Sequence, residues 1–480
     1  MKTRKIHDSE VKEILKRFDQ VQEKSSLNHK KTSSNTLRNL NYRSIRKELG
    51  VDRLDEIVEV NLENHTILVE PSCPMDKLVT ELTKFNLMVP IVPEFKGITV
   101  GGAINGTAIE SSSFFHGQFN DICIEFEIII GNGELIIANR KAHEDLFFAM
   151  AGAYGSLGII TLVKLQVIPL KPFVAIVYHR FKDIENGVEC LKNLIASKNP
   201  PQFVEGIIYN QNEIVIIEGN LKEKQELHLS SHKISTSRFK PFFYNHVKET
   251  PFTQEYMDLT DYFFRHDRGA FWMGSYAANI KLFFRYLLEN QCCLKKLKHL
   301  IFKPLKTNKN SKLMPQNFLF RIFFGSWMTS RTLYSLLHMN SENWFKENFV
   351  IQDYFLPVKN TMQFINIVIK ETNIFPIWLC PVLLTNEPQI FSAHYKQEIT
   401  NDQHFIDIGL YGMPNNLKSL ENINRTIEHE VFKLNGRKML YSFNYYTKEE
   451  FYKIYSLNDY QRLKEKYHAK ELFSDIFDKL

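Results

Sequence analysis

Apolar residues recur at helical spacing at Val11, Ile14, Leu15, Phe18 and Val21, a stripe that predicts an amphipathic helix with Ser9 as its cap. Residues 25–34 are polar and read as a loop. Two extended runs follow at 55–61 and 66–70, and Glu63-Asn64-His65 between them suits a hairpin turn. Residues 74–85 place Leu78, Leu82 and Phe85 on one helical face. Residues 98–113 lack strong periodicity and are rich in glycine and hydroxyl groups. Beyond them, apolar runs at 125–130 and 135–138 flank Gly131-Asn132-Gly133, a hairpin signal. Residues 145–151 read as helix, and 159–168 as a β-branched strand stopped by Pro169. The mixture predicts an α+β class. A boundary near 169–172 divides the chain into 1–170 and 171–480. The second part mixes strands such as 213–218 with helices and is dense in aromatics, among them Tyr262, Phe263, Phe264, Phe271, Trp272 and Trp378.

A chain of 480 residues exceeds one ordinary core, so two or three domains are expected. Aromatics reach 13%, with 38 Phe, which suits large cores or an apolar ligand cavity. The net charge of +6 is mild for this length and gives no argument for nucleic acid. The six cysteines show no C-x-x-C spacing, so neither a metal site nor a disulfide framework is expected. The N-terminus is polar, and no run approaches the roughly 18 apolar residues that span a bilayer. The expectation is a cytoplasmic protein without signal peptide or spanning segment, soluble or lying on a membrane.

The run Thr99-Val100-Gly101-Gly102-Ala103-Ile104-Asn105-Gly106-Thr107-Ala108-Ile109-Glu110-Ser111-Ser112-Ser113 offers many backbone N–H groups and several hydroxyls. Glycine lets the main chain approach an anion closely, and successive N–H groups make a phosphate-binding nest. The run matches neither G-x-G-x-x-G nor G-x-x-x-x-G-K-[ST], so the usual nucleotide loops are not indicated. By chemistry alone it is either a pyrophosphate loop or a glycine-rich structural turn.

Pro93-Glu94, Ile98 to Gly102, Gly106, Ser111-Ser112-Ser113 and Gly117 together resemble the FAD-binding signature of the vanillyl-alcohol-oxidase, or PCMH-type, family. Asp145-Leu146-Phe147-Phe148-Ala149 and Gly155-Ser156-Leu157-Gly158-Ile159 resemble its second signature. Within that family the chain is most similar to the delta(24)-sterol reductases. The resemblance includes Phe203-Val204-Glu205-Gly206, Lys240-Pro241-Phe242-Phe243, Arg265-His266-Asp267-Arg268 with Phe271-Trp272, Val350-Ile351-Gln352-Asp353, Pro376 to Pro381 and Asp407-Ile408-Gly409. It extends from about Val11 to Leu480. Three departures stand out. The eukaryotic reductases begin with a membrane-spanning segment, which this chain lacks. The early phosphate loop has no glycine in 28–34, although Lys30 and Lys31 suit a pyrophosphate charge. Lys281 to Lys312 matches nothing in the family.

The resemblance implies a two-lobed FAD-binding domain followed by an α+β substrate (cap) domain. It implies noncovalent FAD held by Thr99 to Ser111 and by Gly155, Gly158 and Ile159, with His29 and His116 not serving as attachment points. It further implies NADPH as reductant and reduction of a side-chain alkene in a sterol or sterol-like isoprenoid. Such chemistry needs a proton donor in a dry pocket. Tyr262 or His266 would donate, and Arg265 or Arg268 would balance negative charge. The plainer reading of that segment is a surface ion-pair cluster. Asp353 and Asp407, beside apolar strands, read first as caps or salt-bridge partners. The stretch from Lys281 to Lys312 reads either as a solvated loop with a buried apolar side or as a contact with an anionic membrane face. Alternatives are an oxidase of an alcohol or sugar on the same scaffold, and a non-catalytic lipid-binding relative.

Overall fold

Two largely antiparallel β-sheets organise the computed structural model, which describes residues 1–20, 49–227, 232–277, 318, 321–322, 325–337, 347–385, 387–392, 403–414 and 419–480. The first sheet comprises β1 (Ile57–Asn61), β2 (Thr66–Val69), β4 (Cys123–Ile129), β5 (Leu135–Asn139) and β6 (Ile159–Gln166), in the order β1-β2-β6-β4-β5. A two-residue pair, β3 (Leu87–Met88) and β7 (Ile168–Pro169), lies beside it. Strand β6 is central, and its first five residues are buried, which explains an apolar run without alternation. Both hairpins read from the sequence form, with His65 and Gly133 taking the positive φ that their turns require. The α+β class is the one observed.

The N-terminal helix spans Arg4–Asp19 and is capped by Thr3, whose hydroxyl accepts from the Ile6 N–H. Ser9 therefore lies inside the helix, contrary to the expected cap. The earlier start is fixed by His7, held between Glu70 (2.7 Å) and Glu127 (3.1 Å) of the first sheet region. Val11, Ile14 and Phe18 then pack with Ile129 and Ile159.

The second sheet has nine strands: β8 (Phe173–Phe181), β9 (Phe203–Asn210), β10 (Glu213–Lys222), β11 (His232–Lys233), β12 (Gln254–Asp258), β13 (Val350–Pro357), β14 (Ile377–Leu383), β15 (His404–Gly412) and β16 (Arg437–Lys438). Their order is β11-β12-β8-β10-β9-β14-β15-β13-β16. Successive strand residues point to opposite faces. One face, including Val204, Ile208, Leu379 and Ile408, is covered by the helices Ile184–Ile195, Thr361–Thr372 and Leu420–Lys433. The other, including Phe203, Ile207, Trp378, Cys380 and Tyr411, shares one core with the first-sheet unit.

The strands of the first sheet all precede residue 167, and those of the second all follow 172. The tail does not keep to that division. After the second sheet it returns to the first unit, where Tyr467 O accepts from Gly131 N–H (3.0 Å) and Lys479 Nζ donates to the carbonyls of Tyr154 and Gly155. Lys30, Lys31, His29 and the stretch from Lys281 to Lys312 lie outside the described residues. No helix among the described residues is long and apolar enough to cross a membrane.

Candidate functional site

The glycine-rich segment is not an open nest. Val100–Gly106 form a short helix capped by Thr99, whose hydroxyl accepts from Gly102 N–H at 3.2 Å. The N–H groups of Val100, Gly101, Ala103 and Ala108 donate to the carbonyls of Cys73, Pro71, Thr99 and Ala103. Gly101 is required by this approach, because a Cβ there would lie 3.0 Å from Pro71 Cβ and O. Val100, Ala103 and Ile104 are buried in the first core; Gly102, Asn105, Gly106 and Ala108 are partly exposed, and a Cβ on Gly106 would meet nothing. Thr107 ends the helix at φ 48°. The first N–H groups of the segment are thus engaged by the Cys73 and Pro71 carbonyls and by the helix itself.

What the segment offers instead is acceptors. Asn105 Oδ1 and Glu110 Oε1, and Asn120 Oδ1 beyond, are buried without hydrogen-bond partners. Such atoms need donors. They fit the hydroxyls and ring N–H of a flavin better than its phosphates, whose oxygens would be repelled. From the second signature, Gly155 has φ 69° and its carbonyl accepts from Lys479. Gly158 is demanded by packing, since a Cβ would stand 2.6 Å from Ile128 Cγ2 and 3.0 Å from Ile129 O. Ile159 pairs with Ile129, and its side chain packs toward the N-terminal helix.

Between the two sheet units lies a buried polar cluster. Arg265 is 1% exposed, so the surface ion-pair reading of this segment is overturned. Its Nε donates to Glu205 Oε1 at 2.7 Å, and another nitrogen reaches Ser111 Oγ (3.0 Å) and Glu110 (3.3 Å). Glu205, inward on β9, also accepts from Trp378 Nε1 (2.8 Å) and meets His266 Nε2 at 3.0 Å. Burial pushes Glu205 up, but Arg265 and His266 outweigh it and hold the carboxyl well below its usual range. Burial lowers His266, which is therefore neutral at pH 7 and donates its one N–H to Glu205. Nδ1 is left without a partner, and the ring stacks on Phe271 at 4.2 Å. Tyr262 is fully buried, its hydroxyl 3.4 Å from Ser111 Oγ and its ring under the Arg265 guanidinium. Burial raises its phenol far above the ordinary value.

Arg268 does not join this cluster. Its guanidinium is held by the carbonyls of Ser237, Lys240 and Pro241 and lies over Phe242. It fastens the 237–241 loop.

Two further acids share the inward face. Asp353 Oδ1 accepts from Tyr411 OH at 2.5 Å, and the fully buried Asp407 carboxyl lies beside it, hydrogen-bonded to Asp353. Neither is a cap or a salt-bridge partner among the described residues, contrary to expectation. Burial, then Asp353, pushes Asp407 well above the ordinary carboxyl value; burial and Glu110 do the same to Glu94. Burial thus raises Glu94, Glu110, Asp353 and Asp407 above the ordinary carboxyl range, while Arg265 pairs with Glu205 and, at 3.3 Å, with Glu110. The sequence carried a signal for Glu205 and Asp407, since each is an acid at the inward position of an alternating apolar strand. Their convergence with Glu94 required the fold.

Residues 33–139 match the family model of the FAD binding domain. The chain is 28% identical to delta(24)-sterol reductase of Homo sapiens over 99% of its own length and 86% of the relative's. It is 27% identical to that of Arabidopsis thaliana over 100% of its length and 85% of the relative's. A shorter likeness, 29% over 25% of the chain, links it to cytokinin dehydrogenase 4 of Oryza sativa subsp. japonica. The resemblance to delta(24)-sterol reductases stated from the motifs is borne out over the whole chain.

Proposed function

We propose that this relative of the delta(24)-sterol reductases is an FAD-dependent oxidoreductase that saturates the side-chain C24–C25 double bond of a sterol or sterol-like isoprenoid, with NADPH as electron donor. An isolated alkene accepts hydride poorly unless a proton arrives at the other carbon. Bound FAD supplies the hydride chemistry. The chain's own contribution is a buried, aromatic interface in which burial raises several carboxyls above their ordinary range. The clustering of those acids against Trp378, Phe271 and Tyr411 supports reduction over alcohol oxidation, which calls for a base.

In this reading the acceptor-bearing segment from Thr99 to Ser111, with Gly155, Gly158 and Ile159, lies along the noncovalently held cofactor. Tyr262 and His266 position the Arg265–Glu205 pair rather than give up a proton. His266 has its one N–H on Glu205, and the Tyr262 phenol is too weak an acid. Arg268 acts at a distance through the 237–241 loop.

The test is direct. Purified protein should be yellow, release its flavin on acid precipitation, and convert a side-chain-unsaturated sterol to the saturated product with NADPH under anaerobic conditions. Colourless protein, or oxygen consumption with an alcohol and no saturated sterol, refutes the reading.

A further inference from the structure

We propose that Asp407 is the acid that protonates the alkene and that Asp353, with its phenols, positions it; this rests on the reduction proposed above. Asp407 lies in mid-strand on β15, in register with Cys380 of β14 and Phe355 of β13. Its neighbour Cys380 donates from Sγ to the Glu110 carbonyl at 3.2 Å, so this row of the sheet abuts the end of the glycine-rich segment. The Asp407 side chain is fully buried, and its carboxyl is hydrogen-bonded to that of Asp353. A carboxyl in such a place persists as the neutral acid, with a proton to give.

The groups around it reinforce this. Asp353 faces it from β13 and Glu94 from the first unit, and both are acids. Arg265, the nearby cation, is engaged by Glu205 and Glu110. Asp353 is itself fixed by the Tyr411 hydroxyl and by Tyr441. Gly409, the register partner of Asp353, makes room for the arrangement: a Cβ there would fall 2.5 Å from the Tyr411 oxygen and 2.8 Å from Asp353 Oδ1.

In the step, the O–H bond of Asp407 breaks and its proton forms a C–H bond at the less substituted alkene carbon. Bound reduced flavin would supply the hydride for the second C–H bond, so the two electrons the alkene gains would come from the cofactor. Asp407 is left as a carboxylate, stabilised by sharing the proton of Asp353, and a proton from water restores the acid.

Asp407→Asn keeps size and burial but removes the proton. With flavin-loaded, pre-reduced enzyme, sterol-driven reoxidation should slow by about 10²–10⁴-fold. Flavin content and reduction by NADPH should match the wild type. In the apoprotein, one component of the infrared absorption of protonated carboxyls should be present at neutral pH and lost in Asp407→Asn. Asp353→Asn should shift that band rather than remove it. Reoxidation of Asp407→Asn at the wild-type rate, or an unchanged infrared band, overturns the assignment while the wild type still turns over. A wild type that sterol never reoxidises sinks the parent reading, and this one with it.

Discussion

Replacing Arg265 by Met withdraws the guanidinium that neutralises Glu205 in a site excluded from water. Arg265 and Glu205 are 1% and 0% exposed, and their closest contact is 2.7 Å. At an effective dielectric of about 20 the gross attraction is ~6 kcal/mol, part of which offsets desolvation. Met restores the apolar volume but leaves Glu205 ionised and uncompensated. Removing one partner of a buried pair costs about 3–5 kcal/mol, so the melting temperature of this 480-residue chain should fall by about 3–5 °C. Thermal unfolding followed by circular dichroism reads this. The double variant Arg265→Met/Glu205→Gln removes the stranded charge while keeping an oxygen for Trp378 and His266, and it should regain at least half of the loss. The pH dependence carries a sign as well. Glu205 has a folded pKa below its ordinary 4.5, so its contribution is present above that pH and is lost as pH falls through the folded value. The variant should therefore lose its deficit relative to wild type in strong acid. A single variant within about 1 kcal/mol of wild type would mean that the pair behaves as an exposed one and that the site is wet.

Two further outcomes concern the first sheet and its N-terminal helix. His7 is pushed down by burial, but Glu127 and Glu70 raise it to about 9. Its contribution, on the order of 3 kcal/mol, is full below pH 6.5 and lost as pH rises through 9. His7→Ala should flatten the stability profile between those values, and a parallel wild-type profile refutes this. Gly158→Ala forces a methyl against Ile128 and the Ile129 carbonyl, so it should destabilise by about 1–3 kcal/mol in urea titration. A neutral effect there would show that β4 and β6 are not packed as described.

The linear pattern alone determined the α+β class, both hairpins of the first sheet and the likeness to FAD-binding sterol reductases. Turns, apolar periods and signature glycines are local, and a short window of chain suffices to read them. It misjudged the cap at Ser9, because a distant pair, Glu70 and Glu127, draws His7 inward and starts the helix sooner. It left the Thr99–Ser113 backbone open between a phosphate nest and a structural turn, because whether an N–H is free depends on what packs beside it, here Pro71 and Cys73. It left Arg265 open between a surface ion pair and a charge-balancing role in the site, and gave Glu205 no role. Only the tertiary structure brings Glu94, Glu110, Glu205, Asp353 and Asp407 together from two sheet units. Their protonation states follow from that assembly, since the dielectric around a carboxyl and the charges facing it are properties of the packed interior rather than of any stretch of sequence.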